Sequence, residues 1–208
     1  MFIEPHLGHL PHVDGGRSGW IEVISGSMFS GKTEELIRRL NRAIIARQKV
    51  EIFKPAVDKR FHDLDVVSHN GSAIRSTPVS FAQDIIMLAE NSDVVGIDEA
   101  QFFDESLPDV CAQLAKKGKR IIIAGLDMDF AGKPFGPMPA LLSVAEYITK
   151  VHAICVQCGG IANHSFRFSP SKAKVMLGER DAYEARCRKC FNEGIADQKQ
   201  ESEKHFGL

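Results

Sequence analysis

Apolar residues fall into short dense runs separated by amphipathic stretches, and this alternation holds from Trp20 to about Ala153. Trp20-Ile21-Glu22-Val23-Ile24 predicts a strand, and Glu34 to Arg47 a helix with Leu36, Ile37, Leu40 and Ile44 on one face. Val50-Glu51-Ile52-Phe53 predicts a second strand ending at Lys54-Pro55. Val66 to His69 and Ala73 to Val79 read as extended pieces around an Asn70-Gly71 hairpin turn. A helix is predicted over Phe81 to Asn91, a buried strand over Val94 to Ile97, and a helix over Leu107 to Lys117 with Gly118 as its cap. Arg120 to Gly125 is the strongest strand pattern; a long loop, a short helix over Pro139 to Ala145 and one more strand within Val144 to Ile154 follow. Near-continuous apolar strands alternating with helices predict an α/β fold, a mostly parallel sheet with helices on both faces.

The pattern breaks at Cys155, beyond which Cys, Gly, Ser, Arg and Lys dominate. Four segments are expected: a lead-in at 1–18, a core domain at 19–153, a small second domain at 154–192, and a polar tail at 193–208, largely disordered. The 208 residues suffice for one substantial domain and an appendage. A formal net charge of −1 gives no overall attraction to nucleic acid. No apolar run approaches the roughly 20 residues that span a bilayer. Met1 to Gly19 lacks the apolar stretch of a secretory signal, so a cytoplasmic chain is expected, and its five cysteines point to metal binding over disulfides.

Three constellations carry chemistry. Gly26-Ser27-Met28-Phe29-Ser30-Gly31-Lys32-Thr33 fits G-x-x-x-x-G-K-[ST] between a predicted strand and helix. Its glycines let successive N–H groups turn toward phosphate oxygens, and the helix N-terminus adds partial positive charge. Lys32 can reach the β- and γ-phosphates of ATP, and the Thr33 hydroxyl can ligate Mg²⁺. This is the signature of a P-loop, RecA-like fold. Second, the strand at Val94–Ile97 delivers Asp98-Glu99, an acid to hold Mg²⁺ and an adjacent candidate base. Third, Cys155-x-x-Cys158 and Cys187-x-x-Cys190 supply the four thiolates of a structural Zn²⁺ in a zinc-ribbon-like lid, a redox pair or an iron–sulfur site being the alternatives. Cys111 stands apart on an apolar helix face, as a core residue does. Asp58-Lys59-Arg60 reads either as solvated charge or as a phosphate-proximal loop. Phe102, Phe103, Phe130 and Phe135 follow sheet strands, where ligands of such folds bind; they read either as a base-stacking surface or as loop packing.

These blocks, with Phe53-Lys54-Pro55-Ala56, Asp98-Glu99-Ala100-Gln101-Phe102-Phe103, Gly125-Leu126-Asp127, Pro134-Phe135-Gly136 and Tyr183 to Cys190, resemble the thymidine kinases of the cellular and bacterial type with a zinc-bound lid. The resemblance covers about Trp20 to Phe191. It implies transfer of the ATP γ-phosphate to the 5′-hydroxyl of thymidine, with deoxyuridine possible, in nucleotide salvage for DNA synthesis. It implies Glu99 as general base and Arg60 as a catalytic residue on the transferring group. Asp58, Asp98 and Gln101 join the phosphate loop in the cofactor set. Met28, Phe102, Leu126, Phe130, Phe135 and Tyr183 would enclose thymine, with Ser165 and Gly178 from a lasso at about Ser165 to Tyr183. It further implies a homotetramer, feedback inhibition by thymidine triphosphate, and no nucleic-acid or membrane partner. Phe168 and the short polar run Ser169 to Lys174 depart from the family pattern in the lasso. The rival reading is a P-loop ATPase acting with nucleic acid, because Asp98-Glu99-Ala100-Gln101 also resembles a helicase tetrad; 208 residues leave no room for a second motor domain.

Overall fold

The computed structural model describes residues 18–56, 65–67, 73–168 and 182–205. Its centre is a six-stranded, wholly parallel sheet. β1 (Trp20–Ser25) leads into α1 (Lys32–Ile45) and β2 (Val50–Pro55). β3 (Asp65–Val67) and β4 (Ala73–Arg75) form an antiparallel pair flanking Asn70-Gly71, as the hairpin reading expected. Next come β5 (Thr77–Val79), α2 (Asp84–Leu88), β6 (Val94–Ile97), a 3-10 turn (Ala100–Phe102), α3 (Leu107–Lys116), β7 (Arg120–Gly125), α4 (Met138–Val144) and β8 (Tyr147–Lys150). The sheet order is β5-β2-β6-β7-β1-β8, so β7 separates the strand before the phosphate loop from the strand before Asp98. One face packs Ile21, Val23, Val95, Ile97, Ile121 and Ile123 against α3 and α4. The other packs Ile24, Ile52, Ile122 and Ala124 against Leu36, Leu40 and Ala43 of α1. Apolar side chains on both faces are what near-continuous apolar strands require.

Past the sheet lie two small antiparallel pairs, β9 (Ala153–Ile154) with β10 (Ile161–Ala162) and β11 (His164–Arg167) with β12 (Tyr183–Arg186). The last helix, α5, runs from Arg188 to His205. It corrects the expectation of a disordered tail: residues 193–205 are helical. The physical reason is a narrow stripe that docks on β11 and β12. Phe191 is buried against Phe166 and His164, and Gln198 Nε2 donates to the Arg167 carbonyl at 2.8 Å. Gly194 lies so close that a Cβ would meet Arg186 Nη1 at 1.9 Å and the Phe166 ring at 2.8 Å.

Two other expectations change. The helix expected over 81–91 contracts to α2, with Phe81 and Met87 exposed. On α1, Ile44 is 47% exposed, and Arg39 occupies the buried face instead. Arg39 is held there by Glu22, which is wholly buried within β1. Glu22 Oε2 accepts from Arg39 Nη1 at 2.8 Å, and Oε1 from Arg120 Nε at 2.6 Å and Trp20 Nε1 at 2.7 Å. Arg39 also donates to Glu35 at 2.8 Å and to Thr149 Oγ1 at 2.9 Å. The carboxylate thus joins α1 to β1 and β7, and Arg39 extends the network to β8 through Thr149.

Candidate active site

The phosphate loop leaves β1 at Ser25, the central partner of Gly125 on β7 and Lys150 on β8. Gly26 adopts φ 152°, and a Cβ there would lie 2.2 Å from the Val151 carbonyl oxygen, so only glycine makes this exit. Phe29 is left-handed at φ 63°, and Gly31 at φ 84° opens α1. Ser30 Oγ donates to the Ser27 carbonyl at 2.8 Å, and Lys32 Nζ donates to the same oxygen at 2.7 Å. The lysine therefore arches back over the loop. Ser27 Oγ is buried with no hydrogen-bond partner among the described residues, a polar atom that an incoming phosphate can satisfy.

Thr33 Oγ1 donates to Asp98 Oδ2 at 3.3 Å, which brings the helix start and the end of β6 together. Asp98 Oδ1 accepts from the Glu99 backbone N–H at 2.9 Å. Glu99 is left-handed at φ 51° and half-buried. Gln101 is buried beside it and hydrogen-bonds both Glu99 and the Leu126 backbone. Phosphate loop, paired acids and the loop after β7 are thus joined by side-chain bonds, not merely neighbours in the fold.

The candidate nucleoside residues lie on the phosphate loop (Met28), the 3-10 turn (Phe102), the loop after β7 (Leu126, Phe130, Phe135) and β12 (Tyr183). Phe102 and Phe135 meet edge-to-face with centroids 5.5 Å apart. The Arg167 guanidinium lies 3.5 Å from the centre of the Phe130 ring. Tyr183 on β12 pairs with Arg167 on β11. Met28, Phe102, Leu126, Phe130, Phe135 and Tyr183 are all half-buried. Met28 donates its backbone N–H to Ser165 Oγ at 3.0 Å, so the loop is tied to β11. Phe29 packs against a small cluster of Ala153, Ala162, Ala185 and the cysteines. That contact gives no periodic signal in the sequence. Asp58, Arg60, Gly178 and the run Ser169 to Lys174 lie outside the described residues.

The four cysteine sulfurs of Cys155, Cys158, Cys187 and Cys190 all lie within 4.8 Å of one another, with Cys158 and Cys187 at 3.7 Å. A tetrahedron with metal–sulfur bonds of about 2.3 Å has edges of about 3.8 Å, so the set fits a four-thiolate metal centre. Burial raises the Cys155 thiol, but N–H groups of Cys187, Cys158 and Gln157 outweigh it and bring it down to about 6. Cys187 is also lowered, chiefly by the Cys190 backbone N–H. These two lean toward the thiolate that a metal needs, while the neighbouring cysteine side chains push Cys158 up and Cys190 up to about 12, so the fit to a metal rests on the sulfur geometry. Cys111 behaves oppositely: burial pushes it up to about 12, which suits an inert core thiol.

Comparison with known proteins adds the last observation. The family model described as thymidine kinase matches residues 19–191. A thymidine kinase of Rhodothermus sp. is 63% identical over 85% of this chain and 83% of its own length. One of Bacteroides fragilis is 57% identical over 97% of this chain and 99% of its own. One of Porphyromonas gingivalis is 59% identical over 86% and 88%.

Proposed function

The chain belongs to the thymidine kinase family, and on that premise we propose that it transfers the γ-phosphate of ATP to the 5′-hydroxyl of thymidine, with deoxyuridine as a second acceptor, in nucleotide salvage for DNA synthesis. The observation that carries this is the pair of bonds Thr33 to Asp98 and Met28 to Ser165. They join the phosphate loop to the acids on one side and to the lid on the other, so donor and acceptor subsites share the loop as a wall.

The proposed roles follow from the chemistry of each group. Backbone N–H groups of Gly26 to Thr33 cradle the phosphates, and Lys32 exchanges its bond to the Ser27 carbonyl for the β- and γ-phosphate oxygens. Thr33 and Asp98 would hold Mg²⁺, which when bound would offset charge on the phosphate oxygens. Glu99 accepts the 5′-hydroxyl proton. Arg60, with Asp58, steadies the transferring group, and Gln101 belongs to the cofactor set through its bond to Glu99 and not by touching ATP. Met28, Phe102, Leu126, Phe130, Phe135 and Tyr183 enclose thymine, while Ser165 and Gly178 contribute from the lid. A lid over this cleft excludes water, the competing acceptor.

Residues 19–153 form the kinase domain and 154–192 the lid in this reading. Cys155, Cys158, Cys187 and Cys190 would hold Zn²⁺, which when bound would crosslink the turn between β9 and β10 to the start of α5. Four thiolates leave no open position, so the site is structural. A cytoplasmic homotetramer inhibited by thymidine triphosphate completes the proposal; sedimentation and an inhibition titration test those two properties. No helix among the described residues is long and apolar enough to cross a membrane. ADP production measured with thymidine, with single-stranded DNA and with neither tests the activity. Dependence on thymidine supports it; dependence on DNA alone supports a nucleic-acid-stimulated ATPase in its place.

A further inference from the structure

We propose that Gln101 is a positioning residue for phosphoryl transfer, its side-chain amide holding the Glu99 carboxylate and tying it to the nucleoside pocket at Leu126. This rests on the reading of Glu99 as general base. Gln101 is 2% exposed on the 3-10 turn that follows Glu99. Its Nε2 donates to Glu99 Oε2 at 2.5 Å, and its Oε1 accepts from the Leu126 backbone N–H at 2.8 Å. The two partners dictate the residue. An ionised carboxylate only accepts, and a backbone N–H only donates, so the bridge must donate at one end and accept at the other while carrying no charge. The fit leaves little slack: a Cβ at Gly125 would stand 3.0 Å from Gln101 Oε1.

Glu99 occupies a left-handed backbone position, a conformation that surrounding contacts must hold. The bridge ends on the backbone of Leu126, a residue of the proposed thymine pocket. Gln101 touches neither phosphate nor sugar in this role. It acts through Glu99, and its loss is expected to fall on turnover rather than on ATP affinity.

A neutral side chain of the same length discriminates this role from simple packing. Gln101→Met keeps the length and volume of the side chain but can neither donate to Glu99 nor accept from Leu126. A packing role predicts kinetics close to those of the unmodified protein. A positioning role predicts a fall in kcat with the KM values for ATP and thymidine little changed.

The experiment measures kcat and KM for thymidine and ATP for the full chain and for Gln101→Met, Gln101→Leu, Glu99→Gln and the double variant Glu99→Gln, Gln101→Met, with ATP binding measured separately. Expected are a kcat loss of about 10–100-fold for each Gln101 variant with ATP binding and both KM values little changed, and no further loss when Gln101→Met is added to Glu99→Gln. A Gln101→Met kcat near that of the unmodified protein overturns the proposal, as does a full additional loss in the double variant. If Gln101→Leu does not fold, Gln101→Met decides alone. Failure of the underlying reading is separable: if Glu99→Gln keeps most activity, Glu99 is not the base and the role of Gln101 falls with it. If Glu99→Gln is inactive and Gln101→Met is not impaired, only the role of Gln101 is lost.

Discussion

Glu22→Gln changes one atom's identity at a position with no solvent exposure. The carboxylate it replaces balances two buried guanidinium groups, Arg39 at 2.8 Å and Arg120 at 2.6 Å, while also accepting from Trp20 at 2.7 Å. A neutral amide keeps one acceptor oxygen and turns the other into a donor, which then faces an arginine N–H. Removing one partner of a buried ion cluster costs about 3–5 kcal/mol, mostly because charge is left uncompensated. For a chain of this size each kcal/mol lowers the melting temperature by about 2–4 °C, so a drop of about 6–20 °C is expected. The assay is a thermal melt followed by far-UV circular dichroism. The triple variant Glu22→Leu, Arg39→Met, Arg120→Met separates charge imbalance from packing. It removes the three charges together and should melt much closer to the unmodified protein than Glu22→Gln does. A Glu22→Gln melt within about 2 °C of the unmodified protein, less than 1 kcal/mol, would refute the view that this cluster anchors α1 to the sheet.

Glu99→Gln should keep ATP binding near normal and lower turnover by about 10²–10⁴-fold, the usual effect of a lost general base; steady-state kinetics beside equilibrium ATP binding check it. Cys187→Ala should lose the bound metal and raise the thymidine KM while the parallel-sheet core stays folded; unchanged zinc content by metal analysis would remove the proposed site. His164 supplies a pH test. Burial, and then the Arg188 charge, hold its imidazole below its ordinary value. The unfolded chain therefore takes up a proton near pH 6.5 that the folded chain refuses, so this contribution to stability is full above about pH 6.5 and is lost as pH falls toward the folded value. His164→Gln should show a shallower decline of melting temperature between about pH 7 and 5 than the unmodified protein; parallel declines would count against it.

The chemistry was more legible in the sequence than the packing that supports it. The phosphate loop is a local motif, so its strand and helix could be read at once, and Asp98-Glu99 stands at the end of a four-residue apolar strand. The spacing of the cysteine pairs also suffices, because each pair makes its turn locally. Long-range partners leave a fainter trace. Arg39 looks like a surface residue until Glu22 is placed 2.8 Å away, and the only hint is an acid inside an otherwise apolar strand. Ile44 fits the helical period, yet it lies near the end of α1 and stays half exposed. The tail reads as polar because α5 buries only a thin stripe through Phe191, Gly194 and Gln198. The bond from Met28 to Ser165 joins residues 137 positions apart, and no local pattern encodes such a pairing.

Transfer of a phosphoryl group from ATP to a nucleoside has its own readout. The direct measurement follows γ-labelled phosphate in the presence of Mg²⁺ and one nucleoside at a time, with thymidine lacking its 5′-hydroxyl as the control. Label recovered in thymidine 5′-monophosphate, and none transferred to the 5′-deoxy analogue, is the predicted result. Label released only as inorganic phosphate, at a rate indifferent to thymidine, would contradict it.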